Sequence, residues 1–222
     1  MRDGADGSTA VKVCGLMRPE DADLVAGAGA AYGGVILAPG YRRSVTAEAA
    51  RVIFRDFPAR PVGVFVDGEE DALLAAAAAS GVQVVQLHGD EPAEVAARVR
   101  AAGYEVWKAV RVRATDDVSA AFRRYAGAVD ALLLDGWDPA AAGGTGTRFD
   151  WLQIAGLRGE LPEGMRLVAA GGLRPDNVAE AVRILRPHVV DVSSGVERAP
   201  GEKDPAAVRD FVRAARGASY RN

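Results

Sequence analysis

Residues 82–103, VQVVQLHGDEPAEVAARVRAAG, contain one complete unit of a recurring architecture. The run from Val82 to His88 has strand length, and its β-branched and aliphatic residues fall on both faces, as in a parallel sheet covered on both sides. Behind it Pro92 stands at a helix start, Glu94 follows in the first turn, and Gly103 closes the segment. The order is strand, loop, helix, stop.

The unit repeats along the chain. Strand-like runs begin at Val11 (VKVCG), Tyr32 (YGGVIL), Pro61 (PVGVFVD), Glu105 (EVWKAV), Val129 (VDALLLD), Arg166 (RLVAAGG) and His188 (HVVDVSSG), which with the run at Val82 makes eight. Between them lie helix-like segments: RPEDADLVAGAG with Pro19 in its first turn, RPDNVAEAVRIL with Pro175 in the same role, and TAEAARVIF and TDDVSAAFRRY with Thr46 and Thr115 as expected caps. With no Ser/Pro-rich linker and no charge block, the alternation predicts a single α/β domain. Eight units predict closure into a (β/α)8 TIM barrel near the lower end of that fold's size range, about 200 residues. The rival, an open doubly wound sheet, would carry a Gly-rich fingerprint after the first strand, where CGLMRPE stands instead. The expected organisation is a flexible N-terminal extension over residues 1–10, the barrel over 11–217 and a tail over 218–222.

Composition narrows the partners. The 222 residues are 49% hydrophobic and 26% charged with a formal net charge of −3, so neither a nucleic-acid footprint nor a membrane surface is indicated. A small-molecule partner is expected. The longest apolar stretch, ALLAAAAASGV from Ala72, is mostly alanine and well short of the ~20 residues of a membrane span. One cysteine makes no internal disulfide, and MRDGADGSTA lacks the blocks of a secretory signal, so a cytoplasmic location is expected.

In a barrel the chemistry lies at the carboxyl ends of the strands. Those ends supply Cys14, Asp67, His88, Asp135, Gly171, Gly172, Asp191, Ser193, Ser194 and Gly195. A lone cysteine in an apolar run also fits a buried small hydrophobe; here it ends its strand, and period-two alternation puts it on the face of Lys12, whose ammonium would favour a thiolate if close. Asp135, at the end of ALLLD, either caps a loop or, with Cys14, completes an acid and base pair around one ligand. The small residues of AAGGLRPDN and DVSSGVERAPG let backbone N–H groups approach a phosphate after the last two strands. Arg42 and Arg43 in APGYRRSV fit surface charges, or an arginine at the mouth holding a carboxylate with its paired donors. AAGGTGTRFDW from Ala141 reads as a loop able to close over ligand, and His88 and Gln86 share a face, either lining the site or forming a supporting pair.

Taken in order, VKVCGL, RPEDA, LAPGYRR, VGVFVD, VQLHGDE, LLLDG, GGTGTRFDW, AAGGLRPDNV and VDVSSGVERAPGEKD resemble the phosphoribosylanthranilate isomerase family of tryptophan biosynthesis over about residues 11–215. The resemblance implies an Amadori rearrangement of N-(5-phosphoribosyl)anthranilate without metal or organic cofactor, with Asp135 as general acid and Cys14 as general base. It implies Arg43 at the anthranilate carboxylate, Gly171, Gly172, Ser193, Ser194 and Gly195 at the phosphate, and His88 and Asp191 as site-lining residues. A monomer is the default it gives, with a homodimer as the alternative. Tyr41 replaces the serine many relatives carry before the arginine pair, which bears on substrate breadth. The rivals are a sugar-phosphate aldolase, which needs a reactive lysine such as Lys108, a metal-dependent epimerase, which needs clustered histidines where only His88 and His188 exist, and a non-catalytic phosphate-binding barrel.

Overall fold

The structure is a computed structural model that describes residues 9–136 and 151–218. Eight parallel strands close into one barrel in chain order: β1 (Ala10–Val13), β2 (Tyr32–Ile36), β3 (Arg60–Phe65), β4 (Val84–Leu87), β5 (Glu105–Val112), β6 (Ala131–Gly136), β7 (Arg166–Ala170) and β8 (Val189–Val192). Closure comes from β8 pairing with β1, with Lys12 directly opposite Asp191. Around the barrel lie α1 (Pro19–Gly27), α2 (Ala47–Ile53), α3 (Glu70–Ser80), α4 (Ala93–Ala101), α5 (Thr115–Tyr125), α6 (Trp151–Gly156), α7 (Val178–Leu185) and α8 (Pro205–Gly217). Between β8 and α8 a short antiparallel hairpin, β9 (Glu197–Ala199) and β10 (Glu202–Lys203), adds a pair that the alternating pattern does not predict. No helix among the described residues is long and apolar enough to cross a membrane.

Most element ends follow their local chemistry. Pro19 opens α1, and the Thr46 hydroxyl accepts from the Ala49 N–H to cap α2. Two expected starts move. Thr115 lies inside α5, because the Asp117 carboxylate reaches back to the Arg113 and Ala114 N–H groups and takes over the capping. Pro175 precedes α7 by three residues, because the Asn177 side chain holds a turn ahead of the helix, accepting from the Arg174 N–H and donating to the Gly172 carbonyl. At the amino terminus β1 already includes Ala10, and Thr9 is buried with its hydroxyl donating to the Pro187 carbonyl at 3.0 Å. Those two residues of the expected extension therefore belong to the barrel wall, while residues 1–8 and 219–222 lie outside the described residues.

Two apolar shells hold the fold. Helix-facing residues such as Val13, Val85, Leu134 and Val190 pack under the helices, whereas Tyr32, Val62, Val84, Trp107, Leu133, Val168 and Val189 fill the barrel itself. A filled interior is a core rather than a pore. At its amino end the core finishes in a polar floor: the Glu105 carboxylate takes ion pairs from Arg60 and Arg166 and a hydrogen bond from the Trp107 indole, and Arg166 also donates to the Tyr32 hydroxyl. Tyr32 and Trp107 meet edge to face, 4.9 Å between centroids. At the carboxyl end the inward positions become Lys12, Cys14, Gln86, Asp135 and Asp191.

Candidate active site

Cys14 follows β1 directly, and its N–H donates to the Val192 carbonyl of β8. The thiol is buried, as is Lys12 two residues earlier, and the Lys12 ammonium lies 2.8 Å from Asp191 Oδ2 and acts electrostatically on the Cys14 thiol. Room for this packing comes from β2: a Cβ on Gly34 would stand 3.0 Å from the Cys14 sulfur and 3.1 Å from Lys12 Cε. The ammonium is therefore close enough to favour a thiolate, yet burial dominates and raises the Cys14 thiol above its ordinary value despite Lys12. Burial also raises the Asp191 carboxyl against the pull of Lys12. For Lys12, burial acts to lower the pKa, but Asp191 and Cys14 together hold it above the ordinary lysine value. Asp191 Oδ1 is buried and has no hydrogen-bond partner among the described residues.

Asp135, next to last in β6, lies across the mouth with its side chain about one third exposed, and its Oδ2 is 3.4 Å from His88 Nε2. Gln86 Nε2 lies 2.8 Å from His88 Nδ1, and the other ring nitrogen, Nε2, faces Asp135. Of the two readings open to it in the sequence, the pairing with Gln86 is the one the geometry displays, with Asp135 on the other side of the ring. The other carboxylate oxygen of Asp135 faces Gly171, whose absent Cβ would come within 2.7 Å of Oδ1 and would overlap the Gly136 backbone. His88 and Asp135 both act electrostatically on Asp191, so thiol, ammonium, imidazole and both carboxyls share one mouth.

Gly172, Ser194, Gly195 and Arg43 line a neighbouring cavity of about 640 Å³, with Arg42, Arg174 and Arg198 also on its wall. The loops after β7 and β8 touch there, since a Cβ on Gly195 would overlap the Leu173 carbonyl. Gly171 and Gly172 both have positive φ, +82° and +64°, conformations natural only to glycine. Arg43 reaches this cavity but is not solvated on all sides, because two of its nitrogens bond Glu197.

Other candidates go elsewhere. Asp67 bridges two loops, with Oδ1 accepting from the Asp90 N–H and its own N–H donating to Glu91. The Lys108 ammonium is enclosed by Glu91 Oε2 and the carbonyls of Leu87, Gly89 and Ala109, which leaves no lone pair aimed at a carbonyl substrate and removes the support for a Schiff-base aldolase. Among the described residues no three His, Cys, Asp or Glu side chains come together as a metal site. The glycine-rich loop from Ala141 lies outside the described residues. Sequence reading assigned no role to Glu197 and Lys203; the signal that could have found them is Pro200-Gly201, a turn dipeptide between two short charged segments.

A closed eightfold barrel with a thiol, an imidazole and carboxyls at its carboxyl-end mouth defines a (β/α)8-barrel enzyme equipped for acid and base chemistry. The model of the N-(5'phosphoribosyl)anthranilate (PRA) isomerase family matches residues 11–214. N-(5'-phosphoribosyl)anthranilate isomerase of Myxococcus xanthus is 46% identical over 213 residues, covering 94% of this chain and 97% of that protein. Phosphoribosyl anthranilate isomerase of Thermotoga maritima superposes with a TM-score of 0.86 at 38% identity, over 94% of this chain and 99% of that one. A further solved structure, of the isomerase in complex with reduced 1-(o-carboxyphenylamino)-1-deoxyribulose 5-phosphate, superposes with a TM-score of 0.82 at 36% identity, over 94% of this chain and 99% of that one. The chain belongs to the phosphoribosylanthranilate isomerase family.

Proposed function

We propose that the chain catalyses the Amadori rearrangement of N-(5-phosphoribosyl)anthranilate to 1-(2-carboxyphenylamino)-1-deoxyribulose 5-phosphate, with Asp135 as general acid and Cys14 as general base. The observation that carries this reading is the placement of a thiol and a carboxyl around one barrel mouth, beside a cavity lined by Gly172, Ser194, Gly195 and Arg43. Asp135 protonates the ribose ring oxygen; the C1–O bond breaks and the nitrogen lone pair closes to an iminium. Oδ1, on the Gly171 side, is the oxygen suited to carry that proton, because Oδ2 is the one turned toward His88. Cys14 then removes the C2 proton, and the C–H electrons form the C1=C2 bond of an enolamine. Loss of the C2 hydroxyl proton and protonation at C1 give the ketoamine.

Electrostatics fits the order of steps. Burial keeps the resting thiol protonated, and Lys12 alone does not reverse that. The iminium formed by ring opening brings a second positive charge to the thiol and acidifies the C2 proton, so the base is strengthened when its substrate is ready. Arg43 holds the anthranilate carboxylate, and the backbone of Gly171, Gly172, Ser193, Ser194 and Gly195 holds the phosphate. His88 and Asp191 line the sugar. The enzyme so read acts in the cytoplasm as a monomer and needs neither metal nor organic cofactor.

The test is fluorescence-monitored consumption of freshly generated phosphoribosylanthranilate, in buffer containing a chelator, by wild type and by folded Cys14→Ser and Asp135→Asn variants. Each variant is expected to lose at least about a hundredfold in kcat. A folded wild type without turnover overturns the activity, whereas variants that turn over normally overturn the assigned roles.

A further inference from the structure

Arg43 does not stand alone in its cavity. Its Nε donates to Glu197 Oε1 at 2.8 Å and its Nη2 to Glu197 Oε2 at 2.6 Å, a two-pronged pair. The Lys203 ammonium, fully buried, lies 2.8 Å from the same Oε1 and 3.2 Å from the carbonyl of Ser193, in the turn after β8. The Arg43 stem is fitted over the turn after β1, where a Cβ on Gly15 would come within 2.6 Å of Arg43 Cδ and 3.1 Å of the Ser193 hydroxyl. A guanidinium has five N–H donors arranged along two usable edges. With the Nε–Nη2 edge taken by Glu197, the Nη1–Nη2 edge is the one left to a ligand.

We propose that Glu197, braced by Lys203, is a positioning residue that fixes which edge of Arg43 meets a ligand carboxylate and how far that edge stands from the Ser193–Gly195 turn. The hairpin of β9 and β10 then acts as a spacer between the two ends of the ligand, selecting molecules with a carboxylate at one end and a phosphate at the other. The charges agree. Arg43 and Lys203 against Glu197 leave one positive charge, which one ligand carboxylate balances; without Glu197 two cations would attract small anions with little discrimination. Glu197 is also held ionised: burial acts to raise its carboxyl, but Arg43 and Lys203 hold it down at about 2. This inference rests on the reading that Arg43 binds the carboxylate.

The experiment compares the affinities of two stable ligands, the reduced product 1-(2-carboxyphenylamino)-1-deoxyribitol 5-phosphate and its analogue lacking the ring carboxylate, by titration calorimetry. Wild type is expected to prefer the carboxylate ligand, and Arg43→Met to lose the preference. Glu197→Gln is expected to lower the preference at least about tenfold and to raise KM while kcat changes less than about threefold, with inhibition by inorganic sulfate becoming stronger. If Arg43→Met keeps the preference, the carboxylate reading falls and this inference with it. If Arg43→Met abolishes the preference while Glu197→Gln keeps it, the inference alone is overturned. Should Glu197→Gln fail to fold, the double variant Glu197→Met, Lys203→Met, which removes the buried ammonium together with its carboxylate and leaves Arg43 as the one charge, is read in the same way.

Discussion

Replacing Lys12 by methionine tests how the mouth is held together. The ammonium is fully buried and is the ionic partner of Asp191, whose side chain is 9% exposed and whose Oδ1 has no other partner among the described residues. Lys12→Met therefore strands a carboxylate in the interior, a change that costs about 3–5 kcal/mol when one member of a buried pair is removed. For a domain of this size that corresponds to a melting point lower by about 6–20 °C. Replacing both members, Lys12→Met with Asp191→Leu, is expected to recover the loss to within about 2 kcal/mol, because an apolar pair of similar volume is often neutral. The pH dependence has a definite sign. Burial already raises the folded Asp191 carboxyl, and loss of Lys12 raises it further, so the folded variant binds more protons than the unfolded chain over the acidic range. The penalty is then greatest at and above neutrality and shrinks as pH falls through the folded carboxyl's pKa. Urea unfolding followed by tryptophan fluorescence at about pH 8 and about pH 5 measures it. A loss below about 1 kcal/mol, an equal loss at both pH values, or a double variant no better than the single one would refute the reasoning.

Further outcomes follow from the same geometry. Gly171→Ala, which puts a methyl against Asp135 Oδ1 and the Gly136 backbone at a φ of +82°, is expected to lower kcat about 10- to 100-fold in a steady-state assay. Because burial raises the Cys14 thiol, the isotope-sensitive rate of C2 deprotonation should climb with pH from about 6 to about 8, following the thiolate fraction; a flat profile argues for another base. Glu105→Gln leaves Arg60 and Arg166 without their shared carboxylate at the end of the barrel opposite the mouth, so chemical denaturation should show a loss of about 2–4 kcal/mol with kcat/KM within about threefold of wild type.

What could be read from sequence divides along physical lines. Strand count and the carboxyl-end positions of Cys14 and Asp135 follow from periodicity and chain order, because each unit carries its own start and stop. Closure over an open sheet is favoured by the count of eight together with the family resemblance. Thr115 and Pro175 misled because capping was settled by side chains two residues further on, Asp117 and Asn177, which compete for the same backbone groups. Alternation does put Lys12 and Cys14 on one face, but Asp191 as the partner of Lys12 needs the register of β1 against β8, which closure alone supplies. The space left by Gly34 for the thiol, and the seating of Arg43 on Glu197 across 154 positions of sequence, are contacts of tertiary packing with no local signal.

The floor formed by Glu105, Arg60, Arg166, Tyr32 and Trp107 has a kinetic consequence. Among the described residues the amino end is shut and the interior filled, so the ketoamine departs through the opening by which the aminoribose arrived, and both species occupy the same volume on the way. Inhibition by accumulated product should therefore be competitive, and flux should depend on how quickly a downstream consumer clears that single doorway.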